Sequence, residues 1–221
     1  MIKVVLFDLD NTLLNRDKSV LHFVESQYER LYQYIGHIPK EKYITRFIEL
    51  DDRGYVWKDI VYQRLTEEFL INGITWQELL QDYVINFKFS CIPFEDLENM
   101  LGELKENNLT LGIITNGYGQ FQMDNIKYLG IVKYFETILI SEWEGIKKPN
   151  PLIFKRAARR LGVIPNQCLF VGDHPENDVK AAKNVGMKSI WKRDEQLLEV
   201  EADFIIGNLL EIPLIIEQIN N

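Results

Sequence analysis

The stretch VVLFDLDNTLLN, Val4 to Asn15, runs four apolar residues straight into two acids one residue apart, Asp8 and Asp10. A short unbroken apolar run bounded by polar residues reads as a buried strand. Charged side chains cost free energy to bury unless they are paired, so two carboxylates at that strand's end serve something other than stability. The next seventy residues set the architecture. From about Ser19 to Ser90 the periodicity is helical. SVLHFVESQYERLYQYIG spaces Leu21, Val24, Tyr28, Leu31, Tyr32 and Ile35 by threes and fours and stops at Gly36, while TWQELLQDYVINF opens with Thr75 three residues before Glu78, the spacing of a capping box.

After Pro93 helices alternate with short apolar strands. EDLENMLGELKENN precedes LTLGIIT, GQFQMDNIKYLG precedes TILIS, PLIFKRAARRLG precedes CLFVGD, NDVKAAKNVG precedes KSIWK, and DFIIGNLLEIPLIIEQI closes the chain. This alternation predicts βαβ units and an α/β fold, with a mostly parallel sheet in three layers. Residues 1–14 and 91–221 then form the core, and residues 15–90 form an α-helical insertion between the first strand and the rest.

The chain has 221 residues, 46% hydrophobic and 26% charged, enough for one core domain with a smaller insertion. A net charge of −8 without a Lys/Arg cluster argues against nucleic-acid duplexes as partners. Cys91 and Cys168 are too few for a disulfide framework, have no CxxC partner for zinc, and read as buried thiols. No window reaches the roughly 18 apolar residues of a membrane span, and the first residues lack a signal-peptide pattern. A soluble, cytoplasmic protein is expected.

In open parallel sheets ligands bind beyond the carboxyl ends of the strands. Polar residues gather at those ends here: Asp8 and Asp10 after the first strand, Thr115-Asn116-Gly117 after LGIIT, Lys148 in the loop after TILIS, and Asp173 after CLFVG with Asp178 five residues on. The set suggests phosphoryl transfer. Asp8 is the candidate nucleophile, giving an aspartyl-phosphate, and Asp10 the group that protonates the departing oxygen and later takes a proton from water. Like charges near 4 Å repel by ~1 kcal/mol in water and ~4 at an intermediate effective dielectric. Four carboxylates against one lysine therefore call for a hard divalent cation, Mg²⁺, before a dianionic phosphate can enter. Thr115, Lys148 and backbone N–H groups near Asn116 and Gly117 are candidates for holding the phosphate oxygens. Taken singly, each element also has a structural explanation: Asp8 and Asp10 as turn or N-cap residues, Thr115-Asn116-Gly117 as an ordinary strand-to-helix turn, Lys148 as a solvated surface lysine. Their order and their common location after strands set the combination apart.

These residues resemble the haloacid dehalogenase (HAD) superfamily, whose four motifs occur here in the family's order: DLDNT for DxDxT, Thr115 in ITNG, Lys148 in KKP, and GDHPEND for GDxxxxD. The resemblance implies a Rossmann-like core with an α-helical cap inserted after the first strand. It also implies Asp8 as nucleophile, Asp10 as acid and base, and Thr115 and Lys148 on the phosphate. Asp8, the backbone carbonyl of Asp10 and Asp173 would ligate Mg²⁺, with Asp178 supporting the metal site. Family members that cleave carbon–halogen bonds usually lack an acid at the place of Asp10 and need no metal, so its presence here resembles the phosphatase branch. The ITNG and KKPNP forms look like small-molecule phosphatases, including 5′-nucleotidase-like members.

The function expected is Mg²⁺-dependent hydrolysis of a small soluble phosphomonoester, with a nucleoside monophosphate as one candidate. A sugar phosphomutase, a haloacid dehalogenase and a non-catalytic phosphate-binding protein are the alternatives. Specificity is expected in the insertion, where DDRGYVWKD supplies Arg53, Tyr55, Trp57 and Lys58 to grip an anionic or aromatic leaving group, although cap-to-core packing explains the aromatics equally well. His22 and His37 lie in helical or turn sequence and are not expected to be catalysts, and His174 is expected to shape the metal loop.

Overall fold

The computed structural model describes residues 1–194 and 200–221. Two compact units emerge, one of Met1–Asn15 with Pro93–Asn221 and one of Arg16–Ile92. Among the described residues the first carries six strands: β1 (Val4–Phe7), β2 (Thr110–Thr115), β3 (Thr137–Ile140), β4 (Cys168–Gly172), β5 (Lys188–Lys192) and β6 (Phe204–Ile206). All pair in parallel, in the order β3-β2-β1-β4-β5-β6. Every residue of β1 and β4 is buried, as the continuous apolar runs of a sheet covered on both faces require. Val4, Leu6, Ile114, Phe154, Cys168 and Phe170 share one core cluster. Phe154 meets Phe170 edge-to-face at 5.1 Å from helix Pro151–Arg160, which opens with Asn150 accepting from the Leu152 N–H and with Pro151 in its first turn.

The sheet order reverses at β1. The chain builds β2 and β3 on one side and then crosses to β4, β5 and β6 on the other. Phe7 pairs level with Ile113 of β2 and Val171 of β4, so the ends of three strands lie at one height beside the switch point, where a parallel sheet opens a crevice. The segments leading out of and back into this unit run side by side there: Leu14 bridges Pro93, and the Phe94 N–H donates to the Leu13 carbonyl at 3.0 Å.

The helical unit comprises α1 (Arg16–Arg30), α2 (Tyr32–Ile35), α3 (Lys40–Asp51), α4 (Lys58–Glu68) and α5 (Trp76–Asn86). Its core is aromatic: Phe23, Tyr43, Phe47, Tyr62 and Tyr83 are buried, with Phe23 on Tyr83 at 5.0 Å and Phe47 on Tyr62 at 5.5 Å, both edge-to-face. Gln27 is fully buried among them. It accepts from the Tyr62 hydroxyl at 2.8 Å and donates to Asp82 at 2.9 Å. The helix expected to run to Gly36 breaks at Leu31, where ψ turns to 17°. Beyond the break, the carbonyl of Ile38 accepts from the Tyr28 hydroxyl at 2.6 Å, a tertiary bond that competes with helical propagation. The capping box of α5 forms: the Glu78 N–H donates to Thr75 Oγ1 at 3.2 Å and the Thr75 N–H to Glu78 Oε2 at 2.8 Å. Both cysteines are buried thiols outside any disulfide. Among the described residues no helix is long and apolar enough to cross a membrane.

Candidate active site

The ladder of β1 continues one residue past the strand, because the Asp8 N–H donates to the Val171 carbonyl at 2.9 Å. The Asp8 carboxylate is therefore carried on backbone held by the sheet. A tight turn comes next: the Leu9 carbonyl accepts from the N–H groups of Thr12, Leu13 and Leu14, and Asn11 takes φ 54°, a left-handed conformation that Asn tolerates.

Lys148 is the hub of the site. It is 3% exposed, and its Nζ donates to Asp8 Oδ1 and to Asp178 Oδ1, each at 2.6 Å. Its loop is clamped by Asn116, whose Nδ2 donates to the Lys148 carbonyl at 3.0 Å while Oδ1 accepts from the Lys148 N–H at 2.8 Å. Asp178 is fixed at its other oxygen by the His174 N–H at 3.0 Å. Gly172 makes that approach possible, since a Cβ there would lie 2.5 Å from the Asp178 side chain. Nδ1 of His174 accepts from the N–H groups of Glu176 and Asn177 and so caps the turn into Pro175–Lys180. Burial lowers this imidazole's pKa, in keeping with a neutral acceptor. The Asp173 carbonyl is held by the Trp191 indole N–H at 2.7 Å.

Thr115 lies at the end of β2, 1% exposed. Its hydroxyl and the Asp10 carboxylate share one donor, the side-chain amide of Gln122, at 2.9 and 2.7 Å. Sequence periodicity alone does not single out Gln122. Its signal is that Gln122, Asn125 and Ile126, spaced by three and four in helix Gly119–Tyr128, are all buried, so that two amides occupy the core face of a short helix. Ser141 is likewise new: its Oγ accepts from the Gly117 N–H at 2.9 Å.

Burial pushes the Asp8 carboxyl well above the usual carboxylate range; Lys148 opposes the rise, and Asp178, Asp173 and Asp10 reinforce it. Burial and then Asp178 carry Asp173 up to about 7. For Lys148 burial favours loss of the proton, but Asp178 and Asp8 together overcome it and keep the ammonium charged. Asp8, Asp173 and Asp178 each offer a carboxylate oxygen, all within 4.8 Å of one another. Three hard oxygen donors with negative charge in excess of the one lysine suit a hard divalent cation such as Mg²⁺.

Several expectations change in detail. The Asn116 side chain is spent on the Lys148 backbone, and the Gly117 N–H is spent on Ser141. Arg53, Tyr55 and Trp57 fall in the turn between α3 and α4, where Asp52, Arg53 and Gly54 all take left-handed φ values of 44°, 54° and 90°, and Tyr55 is exposed. Lys58 does not present its charge to solvent. It is 1% exposed, ion-paired to Asp51 and near the rings of Trp57 and Tyr83 at 5.8 and 5.3 Å. It is an internal cation of the helical unit, because burying an ammonium requires such partners.

An acid-lined rim at the switch point of a parallel sheet, with a buried lysine between two of its carboxylates, lies where α/β proteins bind their ligands. A family model described as haloacid dehalogenase-like hydrolase matches residues 5–192, and the chain belongs to that family. The chain is 30% identical to a glyceraldehyde 3-phosphate phosphatase of Pyrococcus furiosus, over 99% of this chain and 95% of that one. Among solved structures, a HAD phosphatase from Thermococcus onnurineus is 28% identical with a TM-score of 0.69, covering 97% of this chain and 98% of that one. A 2-haloacid dehalogenase from Pseudomonas syringae is also 28% identical, with a TM-score of 0.64 over 99% of both chains.

Proposed function

We propose that this chain is a phosphatase that hydrolyses a small phosphomonoester through an aspartyl-phosphate on Asp8. The observation that carries the proposal is the pair of carboxylates two residues apart at the end of β1, one fixed by Lys148 at 2.6 Å and the other by Gln122 at 2.7 Å. Asp8 attacks phosphorus, the ester P–O bond breaks, and Asp10 gives its proton to the departing oxygen, which leaves as an alcohol. Asp10 then takes a proton from water. The water oxygen attacks the same phosphorus, and the bond to Asp8 breaks to release inorganic phosphate. Thr115 and Lys148 bind the phosphate oxygens, with Asn116 contributing through its backbone N–H. Asp8, Asp173 and the backbone carbonyl of Asp10 would hold Mg²⁺ with Asp178 in support, and the ion supplies a Lewis acid that offsets phosphate charge.

The same geometry speaks against the dehalogenase reading, since a halide leaves as a stable anion and gives Asp10 no proton to deliver. For the substrate, the Pyrococcus relative's name puts triose phosphates first, while Tyr55 and Trp57 support an aromatic leaving group such as a nucleoside. Phosphate release should be measured from a panel spanning glyceraldehyde 3-phosphate, other sugar phosphates and nucleoside 5′-monophosphates, with Mg²⁺, with EDTA, and with Asp8→Asn protein. Release that needs Mg²⁺ and Asp8 is the expected result. Isomerised sugar phosphate without free phosphate would indicate a mutase, halide release from a 2-haloacid a dehalogenase, and phosphate binding without turnover a binding protein.

A further inference from the structure

We propose that Gln122 is a positioning residue that ties the proton-carrying Asp10 to the phosphate ligand Thr115, so that one side chain readies both; the proposal rests on the phosphatase reading. Gln122 is 2% exposed. Its Nε2 lies 2.7 Å from Asp10 Oδ2, 2.9 Å from Thr115 Oγ1 and 3.2 Å from the Asn116 carbonyl. A primary amide has two N–H groups, so the two shortest contacts use them and the third shares. Asn125 Nδ2 donates to Gln122 Oε1 at 3.2 Å, and the carboxylate of Asp10 on the other side takes the amide's nitrogen end. With the ends reversed, Oε1 would face a carboxylate and two acceptors would oppose each other.

The backbone is shaped around this side chain. Gly117, at φ 145°, closes the turn after β2, and a Cβ there would lie 2.9 Å from Gln122 Cγ. Burying an amide costs free energy unless it is bonded, and a leucine or methionine would fill the same helical face without that cost. The reaction is affected in two ways. Because Gln122 holds Oδ2 of Asp10, the carboxylate keeps one orientation and leaves Oδ1 for the proton transfers proposed above. Because Thr115 Oγ1 accepts from Gln122, its own O–H has to donate elsewhere. The Asn116 carbonyl at 3.3 Å is a long acceptor, and an anionic phosphate oxygen would be a stronger one.

The test compares Gln122→Met, which keeps length and bulk but removes the donors, with Gln122→Ala, on two substrates under Mg²⁺. One is an alkyl phosphate, whose alkoxide needs a proton to leave. The other is p-nitrophenyl phosphate, whose phenolate leaves without one. If Gln122 orients Asp10, kcat/KM falls about 10²-fold on the alkyl ester, the lower end of what general acid catalysis contributes, and less than about 10-fold on the nitrophenyl ester. Equal losses on both substrates, or no loss on either, would overturn the proposal. Thermal melts accompany the kinetics, and failure of both variants to fold would make Gln122 a packing residue and overturn it as well. Absence of Mg²⁺-dependent release by the unsubstituted protein would overturn the phosphatase reading and this proposal together, and that control separates the two failures.

Discussion

Lys148 in the sheet unit and Asp51 in the helical unit are each buried between two groups of opposite charge, yet the clusters are electrostatic opposites. At the end of β1 one ammonium serves two carboxylates, Asp8 and Asp178, with Asp173 close by, and the Asp8 carboxyl is driven well above its ordinary range. In the helical unit one carboxylate takes a two-pronged bond from Arg16, at 2.9 Å on each oxygen, and a further ion pair from Lys58. Burial there also favours the protonated acid, but Arg16 and then Lys58 outweigh it and hold Asp51 below its ordinary range. A satisfied carboxylate is a staple of the fold. Carboxylates crowded beyond what their cation can neutralise are held ready for something that binds there, and perturbed groups of this kind cluster at functional sites.

Asparagine substitutions test that contrast. Asp8→Asn should abolish turnover, by at least about 10³-fold in kcat for a residue that forms the covalent intermediate. In EDTA the variant should melt no lower than the parent and about 2–4 °C higher, the shift that 1 kcal/mol produces in a domain of this size, because it removes one member of a repelling set. A substantial fall in melting temperature would break the comparison. Asp51→Asn should do the reverse. It leaves Arg16 and Lys58 with an uncompensated buried charge and should cost about 3–5 kcal/mol in urea unfolding at pH 7.

The stability that Asp51 contributes has a defined pH dependence. Its folded-state pKa lies below the ordinary value of 3.8, so its contribution is fully present above that value and is lost as the pH falls through the lower folded-state value. Urea unfolding of parent and Asp51→Asn should therefore differ most at pH 5–7, begin to approach one another below about pH 4, and converge only once the pH has passed below the folded-state value of Asp51. A gap that persists at low pH would show that Asp51 acts through shape and not charge. The smallest effect is expected at Thr75→Ala, which removes half of the capping box on α5 and should cost about 1 kcal/mol with no change in kcat on the best substrate, as measured by the same unfolding and turnover assays.

Much of the fold could be read along the chain. A period of two or an unbroken apolar run marks a strand and a spacing of three and four marks a helix, and both survive in β1, β2, β4 and α5 because the segments that bury them were already patterned to be buried. The break at Leu31 was not legible, since helical periodicity continues through it and only the Tyr28 bond to Ile38 reveals the competing interaction. Nor was the inward turn of Lys58, because an isolated lysine in a polar loop carries no mark of the carboxylate it will meet.

By itself the sequence determined the α/β alternation, the helical insertion after the first strand, and the acids, threonine and lysine that gather at the strand ends, since each is a matter of residue type and order. Tertiary structure decided how those groups divide their bonds. Lys148 reaches Asp8 across 140 positions and Gln122 reaches Asp10 across 112. At such separations chain order sets no distance. Only the parallel sheet, by bringing the ends of β1, β2 and β4 to one height, makes those side chains neighbours.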